Sequence, residues 1–392
     1  MLRSLFSGIS GLRAHQTMLD VTGNNIANVN TTGFKASQTQ FQDTLSQVLT
    51  NAGAAQDGVG GTNPAQVGLG VRVAGITTNF QQGAAQLTNR STDMMISGDG
   101  FFVVRKGTEQ LYTRAGAFDF DATGQLVTPD GGLVQGWAAD AAGNIDTNGQ
   151  LVDLRLPIAT LMGARATDGA TFEGNLPADA EVGTILNRDI DVYDAEGTLT
   201  TLQLAITRTG TGWSITGTRD GGSPATVTLT DDGDGTLTAS GPLTVAGVAV
   251  DLTAVTGFAG LDTMEAVSQT GRAAGTLQSF TINADGTLLG SFSNGLKQSL
   301  GRVALSTFTN PAGMEKAGGS LYRTTVNSGD AQVGAAGTGG RGDLTGGALE
   351  MSNVDLSAEF TNLIIAQRGF QANSRVITTS DELLQELVNL KR

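Results

Sequence analysis

Histidine occurs once in this chain, at His15, and cysteine not at all. That excludes a thiolate nucleophile, a disulfide framework and any Cys- or His-clustered metal site. A Ser-His-Asp hydrolase would depend on His15 alone, which follows Arg13 and Ala14 and has no carboxylate before Asp20. The carboxylate pairs Asp189/Asp191 and Asp381/Glu382 fall at strand alternation or inside a helical pattern, with no pocket signal to make them an acid–base pair. The stretch TDDGDGTLTAS at 230–240 is superficially like a calcium loop. With Gly235 as the loop glycine, Asp232 and Asp234 take ligand positions, but Thr230 stands first and Gly241 twelfth, where an acidic ligand is needed. It reads as an Asp-Gly hairpin turn. Arg341-Gly342-Asp343 lies in a Gly-rich loop and reads as a solvated turn. The residues therefore supply no catalytic group, no cofactor site and no metal site, and no enzyme is expected.

The elements around them carry more information. The chain has 392 residues, 39 % hydrophobic and 15 % charged, with 56 glycines and a net charge of −14. The acidic balance excludes a nucleic-acid surface. No run of 18 apolar residues is present, so no membrane-inserted helix is expected. The N-terminal MLRSLFSGISGLRAH is a poor secretory signal, interrupted by Gly8 and Gly11, so export would need a route without N-terminal cleavage.

The two ends differ from the middle. Steps of three and four give Leu2, Leu5, Ile9, Leu12, Gln16, Leu19, Gly23 and Ile26, a coiled-coil period with two breaks. At the other end Leu356, Leu363, Phe370, Ile377 and Leu384 are spaced by seven; the partner positions Phe360, Gln367, Ser374, Asp381 and Val388 are mostly polar, with Ile364 and Leu387 widening the stripe. A capping-box pattern, Ser352-x-x-Asp355, precedes it. The span 356–388 predicts a helix of about 50 Å. Two narrow seams at opposite ends of one chain predict helices paired with each other, either as a terminal hairpin closing one globule or, marginal in a monomer, with their remaining apolar positions covered by other subunits. Asn24, Asn25, Asn28 and Asn30, with Gly33 beyond, predict the end of the first helix and amides available to neighbouring subunits.

Between the ends the grammar is β. FFVVR at 101–105 and turn signals at Asp121–Gly124, Pro129–Gly132 and Asn283–Gly286 predict short antiparallel strands. Residues 145–270 hold 17 acidic against 5 basic residues, most of the net charge, as suits a solvated insert. Residues 34–71 are low in charge and lack helical periodicity. The expected fold is mixed α+β. Residues 1–33 and 352–392 form paired terminal helices and 34–71 an extended connector. A discontinuous β domain takes 72–144 and 271–351, and an acidic antiparallel β domain at 145–270 is inserted into it.

GNNIANVNTTGFK, from Gly23 to Lys35, resembles the N-terminal signature of the bacterial flagellar axial proteins of rod and hook. VGLGVRVAGI at 67–76 and TDMMISGDGFFVV at 92–104 resemble the blocks that follow. Gly347 to the end, GALEMSNVDLSAEF through VNLKR, resembles the hook branch of that family. The resemblance implies an inner domain of paired helices lining a channel and an outer β domain facing solvent. It implies a structural subunit that self-assembles into a curved hollow tube outside the cell, passing motor torque to the filament like a universal joint. It also implies type III export without signal cleavage, and as partners further copies of the chain, the distal rod protein, the hook cap and the hook–filament junction proteins. Residues 45–66 resemble the extra stretch of distal rod proteins, which keeps a straighter, rod-like subunit open. A secreted β-rich adhesin or carbohydrate-active protein is the reading from outside this class, and terminal apolar seams speak against it.

Overall fold

The first helix, α1 (Leu2–Ala27), contains no proline and runs until Asn28, Val29 and Thr31 turn the chain out by short-range amide bonds. The last, α2 (Leu356–Asn389), starts where the Asp355 carboxylate accepts the amides of Ser357 (2.8 Å) and Ala358 (3.3 Å). Asp355 is thus the N-cap itself. Ser352 lies outside the helix and accepts the Val354 amide, so the expected capping box is one side chain, not two. The computed structural model describes residues 2–54, 60–140, 142–156 and 162–389; the side chains of Leu2 and Leu387 lie outside the described residues.

The chain divides into two units, one of residues 1–156, 281–289 and 299–392, the other of 157–280 and 290–298. In the first, strands 297–303, 133–138, 101–106, 109–113, 321–323 and 315–318 lie side by side in one sheet. Phe101, Val103, Tyr112, Trp137, Phe308 and Tyr322 fill its core, with edge-to-face ring pairs such as Tyr112–Phe308 at 4.8 Å. Residues 145–156 belong here and not to the insert. Val152–Asp153 pair with Gly136 and Gln135, and Leu154 and Leu156 are buried. The connector expected at 34–71 is instead a folded hairpin. Ser37–Asp43 pairs antiparallel with Val71–Thr78, and Ser46–Thr50 with Ala65–Gly68 beyond it. Val71, Val73 and Gly75 alternate with the exposed Arg72, Ala74 and Ile76, a β period that a search for helical period passes over.

The second unit stacks a five-stranded meander (185–193, 199–209, 212–219, 225–231, 237–239) on a four-stranded sheet. Leu202, Leu204, Ile206, Trp213 and Ile215 from the first meet Phe172, Val245 and Val248 from the second. One pairing departs from the antiparallel expectation: 169–175 runs parallel to 248–256. The carboxylates that invited a calcium reading are taken up by their own turn. Asp234 accepts the Thr236 amide (2.9 Å) and Asp232 the Thr238 hydroxyl (2.6 Å).

Candidate assembly surface

The helices α1 and α2 pair antiparallel, and the line of closest approach is made of small residues. Ser4 meets Ser380 at 3.5 Å. A Cβ on Gly8 would stand 3.3 Å from Ile377, one on Gly11 2.7 Å from Asn373, and one on Gly369 2.5 Å from His15. Ser4, Gly8, Gly11, His15, Thr22 and Asn25 thus form the seam, with Asn25 reaching Glu359 on α2 at 3.0 Å. The expected α1 seam is displaced from this line by one residue, hence by about 100° around the helix. Leu5, Ile9, Leu12, Leu19 and Ile26 are accordingly only half-buried, and Gln16 and Gly23 of the same row are exposed. On its other side α1 meets the hairpin, where Ser10 Oγ accepts the Val71 amide at 3.2 Å and the His15 ring meets Phe41 edge-on.

On α2 the seven-residue row drifts off the contact line. A straight helix rotates a strict heptad by about 20° per repeat. Leu384 and Ile377, near the line, and Phe370 and Leu363, beside it, are half-buried; Leu356, at the far end of the drift, is 39 % exposed. Phe360 (51 %), Ile364 and Ile365 on α2 and Phe6 (64 %) on α1 are open. The pair therefore spends its small residues on itself and leaves most of its apolar side chains unburied.

Below the pair, a polar junction ties the helices to the sheet. Asn25 Nδ2 donates to the Ser37 carbonyl (2.7 Å) and to Glu359, and its Oδ1 accepts the Ser37 amide (3.0 Å). Gly33, at φ +65°, has room for no Cβ, since one would collide with the Ala115 amide, and its N–H donates to the Glu350 carbonyl at 2.8 Å. Lys35 Nζ and Glu350 Oε1 lie 2.6 Å apart with both side chains wholly buried, and Arg114, itself 2 % exposed, approaches Glu350 Oε2 at 3.3 Å. Glu350 also accepts the Gly83 amide, and Lys35 donates to the Gln81 carbonyl. Burial lowers the pKa of Lys35 and of Arg114, against the opposing pull of Glu350. Burial also raises the Tyr322 hydroxyl.

Of the four signature positions, Asn25 and Gly33 are thus consumed within the chain. Asn24 and Asn28 close the helix end, Asn28 Nδ2 donating to the Asn24 carbonyl (2.9 Å), and both line an open cleft. Sequence reasoning missed the trio Lys35, Arg114 and Glu350. Its one signal was that Lys35 and Glu350 stand inside the two motif blocks, Lys35 as the single charge of the first. The Arg341 guanidinium of the RGD stretch is tied to the Ala335 and Gln332 carbonyls, a loop brace. Asp189 and Asp191 alternate on an exposed strand face, and no cluster of His, Cys, Asp or Glu able to hold a metal occurs among the described residues. No helix among them is long and apolar enough to cross a membrane.

Three family patterns match, and they fall on these parts: Flagella basal body rod protein at residues 5–35, Flagellar hook protein FlgE/F/G D1 domain at 95–164, and Flagellar basal body rod FlgEFG protein C-terminal at 345–390. The flagellar hook protein FlgE of Borreliella burgdorferi is 40 % identical over the whole of both chains. The chain belongs to the flagellar hook and rod protein family. Within that family it is 35 % identical to the hook protein FlgE of Escherichia coli over 98 % of each chain, and 35 % identical to the basal-body rod protein FlgG of Bacillus subtilis over the whole of both. The crystal structure of Helicobacter pylori flagellar hook protein FlgE2 shares the fold, at 14 % identity and a TM-score of 0.57, covering 68 % of this chain and all of that one. The family patterns cover both ends of the junction, which is therefore built from the parts of the chain that mark the family. Residues 165–280 lie outside all three patterns.

Proposed function

We propose that this chain is a hook subunit, a structural protein that self-assembles into the curved tube joining the flagellar motor to its filament. The observation that carries this is the set of open apolar side chains on the helix pair. Phe6, Phe360, Ile364 and Ile365 are exposed, and Leu5, Ile9, Leu12 and Leu19, off the α2 contact line, are only half-buried, a surface suited to neighbouring copies. Full-length similarity to proteins named as hook subunits supports the same reading. In it, the terminal helices line the channel of the assembled tube, and the acidic insert is a solvated β unit. The partners are further copies, the distal rod protein, the hook cap, the hook–filament junction proteins and the type III export apparatus, which passes the chain outside the cell without cleavage.

A rod-like subunit is the second reading, favoured by the similarity to the Bacillus subtilis rod protein and by the projecting 46–50/65–68 hairpin. Electron microscopy of the concentrated protein separates the two. Curved tubes are the expected result, straight tubes support the rod subunit, and persistent monomers refute assembly altogether.

A further inference from the structure

The turn at 324–329 presents one apolar side chain more openly than any other large apolar side chain among the described residues. Val326 is 105 % exposed, as free as in an extended chain. The turn beneath it is nonetheless stiff. Ser328, itself fully buried, donates its hydroxyl to the Thr325 carbonyl (2.9 Å) and accepts the Thr325 amide (2.9 Å). Thr325 Oγ1 donates to the Gly313 carbonyl (2.6 Å), and Asn310 Nδ2 to the Asn327 carbonyl (3.0 Å). A solvent loop gains nothing from holding a valine outward this way. A preordered knob, in contrast, loses little entropy when it seats in a hole.

A hole exists in the same unit. At the foot of α1, beside Asn24 and Asn28, a cleft of about 440 Å³ is walled by Phe34, Ala115, Ala117, Pro129 and Leu321. Two charges stand on it, Lys316 and Asp130. Lys316 Nζ is held over the Phe34 ring, 5.0 Å from its centroid, and donates to Ser37 Oγ at 2.9 Å. No ion pair engages Lys316 among the described residues, nor Asp330, which follows the Val326 turn. The knob thus brings a carboxylate and the cleft an ammonium, neither in an ion pair among the described residues, the ammonium held in place by Phe34 and Ser37.

We propose that the Val326 turn of one copy seats in the Phe34–Ala117–Leu321 cleft of the next, with Asp330 on the Lys316 side. The proposal rests on the self-assembly reading and adds a specific contact to it, outside the helix pair. Knob and cleft share no residue, so the contact can repeat head to tail from copy to copy, the open arrangement a helical tube needs.

The absence of native cysteine makes the test clean. Val326→Cys and Ala117→Cys chains are mixed under conditions in which the wild-type chain polymerises, oxidised with diamide, and analysed by mass spectrometry. The expected product is the mixed 326–117 disulfide in sedimented polymer and none in dilute monomer. A chain carrying both cysteines should give a ladder of dimers, trimers and higher species. Asp330→Lys should raise the critical concentration about tenfold, and adding Lys316→Asp should restore it. Polymer without the mixed disulfide, or a ladder that stops at dimer, overturns the contact while leaving self-assembly standing. Failure of the wild-type chain to polymerise at all refutes the self-assembly reading, and this contact with it.

Discussion

Glu350→Gln tests the junction below the helices. The substitution keeps the shape of the side chain and removes its charge, leaving Lys35 at 0 % and Arg114 at 2 % exposure without their counter-ion. Breaking a buried pair from one side costs about 3–5 kcal/mol, because the stranded charge stays desolvated. Two cations share this carboxylate, so the upper part of that range applies. For a unit of this size each kcal/mol moves the melting midpoint by about 2–4 °C, which predicts a fall of roughly 8–20 °C. The two tryptophans provide the assay, since Trp137 lies in the core of the first unit and Trp213 in that of the second. Trp213→Phe leaves fluorescence that reports the first unit alone, and Trp137→Phe the second. The Trp137 transition should move and the Trp213 transition stay in place. A shift under about 3 °C, or equal shifts in both units, refutes the claim that the buried trio holds the helices to the sheet.

Further outcomes follow from the same contacts. Gly11→Leu should separate the helices, because a side chain of that size needs the space of the Asn373 carboxamide, which even a Cβ would meet at 2.7 Å; limited proteolysis should then cut α1 and α2 while the Trp137 melt changes by under about 1 kcal/mol. Gly33→Ala forces a Cβ into a left-handed position against Ala115 and should cost the first unit about 2–3 kcal/mol by urea titration. Alkaline titration of the first unit should show a maximum. Burial lowers Lys35, so the unfolded chain binds more protons and stability rises with pH below the ordinary lysine range of about 10.4. Burial raises Tyr112 and Tyr322, so the unfolded chain loses those protons first and stability falls above about pH 10. In the second unit, the backbone amides of Thr198 and Thr253 hold Asp194 and Asp251 below the usual carboxylate range, so stability present above about pH 3.9 should be lost as pH falls beneath it.

Much of this architecture is legible in the sequence, for reasons that also mark where reading fails. Heptad spacing locates both helices because burial of any kind imposes a period. It does not say which row touches which partner. Leu5, Ile9 and Leu12 draw attention because they are large, yet the seam is Gly8, Gly11 and Ser4, small residues that leave room for Ile377, Asn373 and Ser380 of α2 and carry little hydrophobic signal. The drift of Leu356 away from α2 follows from 3.6 residues per turn and was calculable from the spacing alone. The 37–78 hairpin was missed because Gln and Thr alternate with its apolar residues, weakening the signal of each strand. The boundary near 156 depends on Val152 pairing with Gly136, a contact that local composition does not encode. The Lys35–Glu350 pair joins residues 315 positions apart, beyond any motif or period.

The central claim is that the half-buried leucine row of α1 is an assembly face and not part of the monomer's own packing. Its most direct test is the critical concentration of polymerisation of Leu12→Asp, measured by sedimentation beside the monomer's thermal melt. Leu12 is half-buried and lies off the α2 contact line, so the account predicts loss of polymer with a melting midpoint within about 2 °C of wild type. Polymer forming at an unchanged critical concentration would contradict the account. So would a collapse of the monomer's melt, which would place the row inside one closed globule.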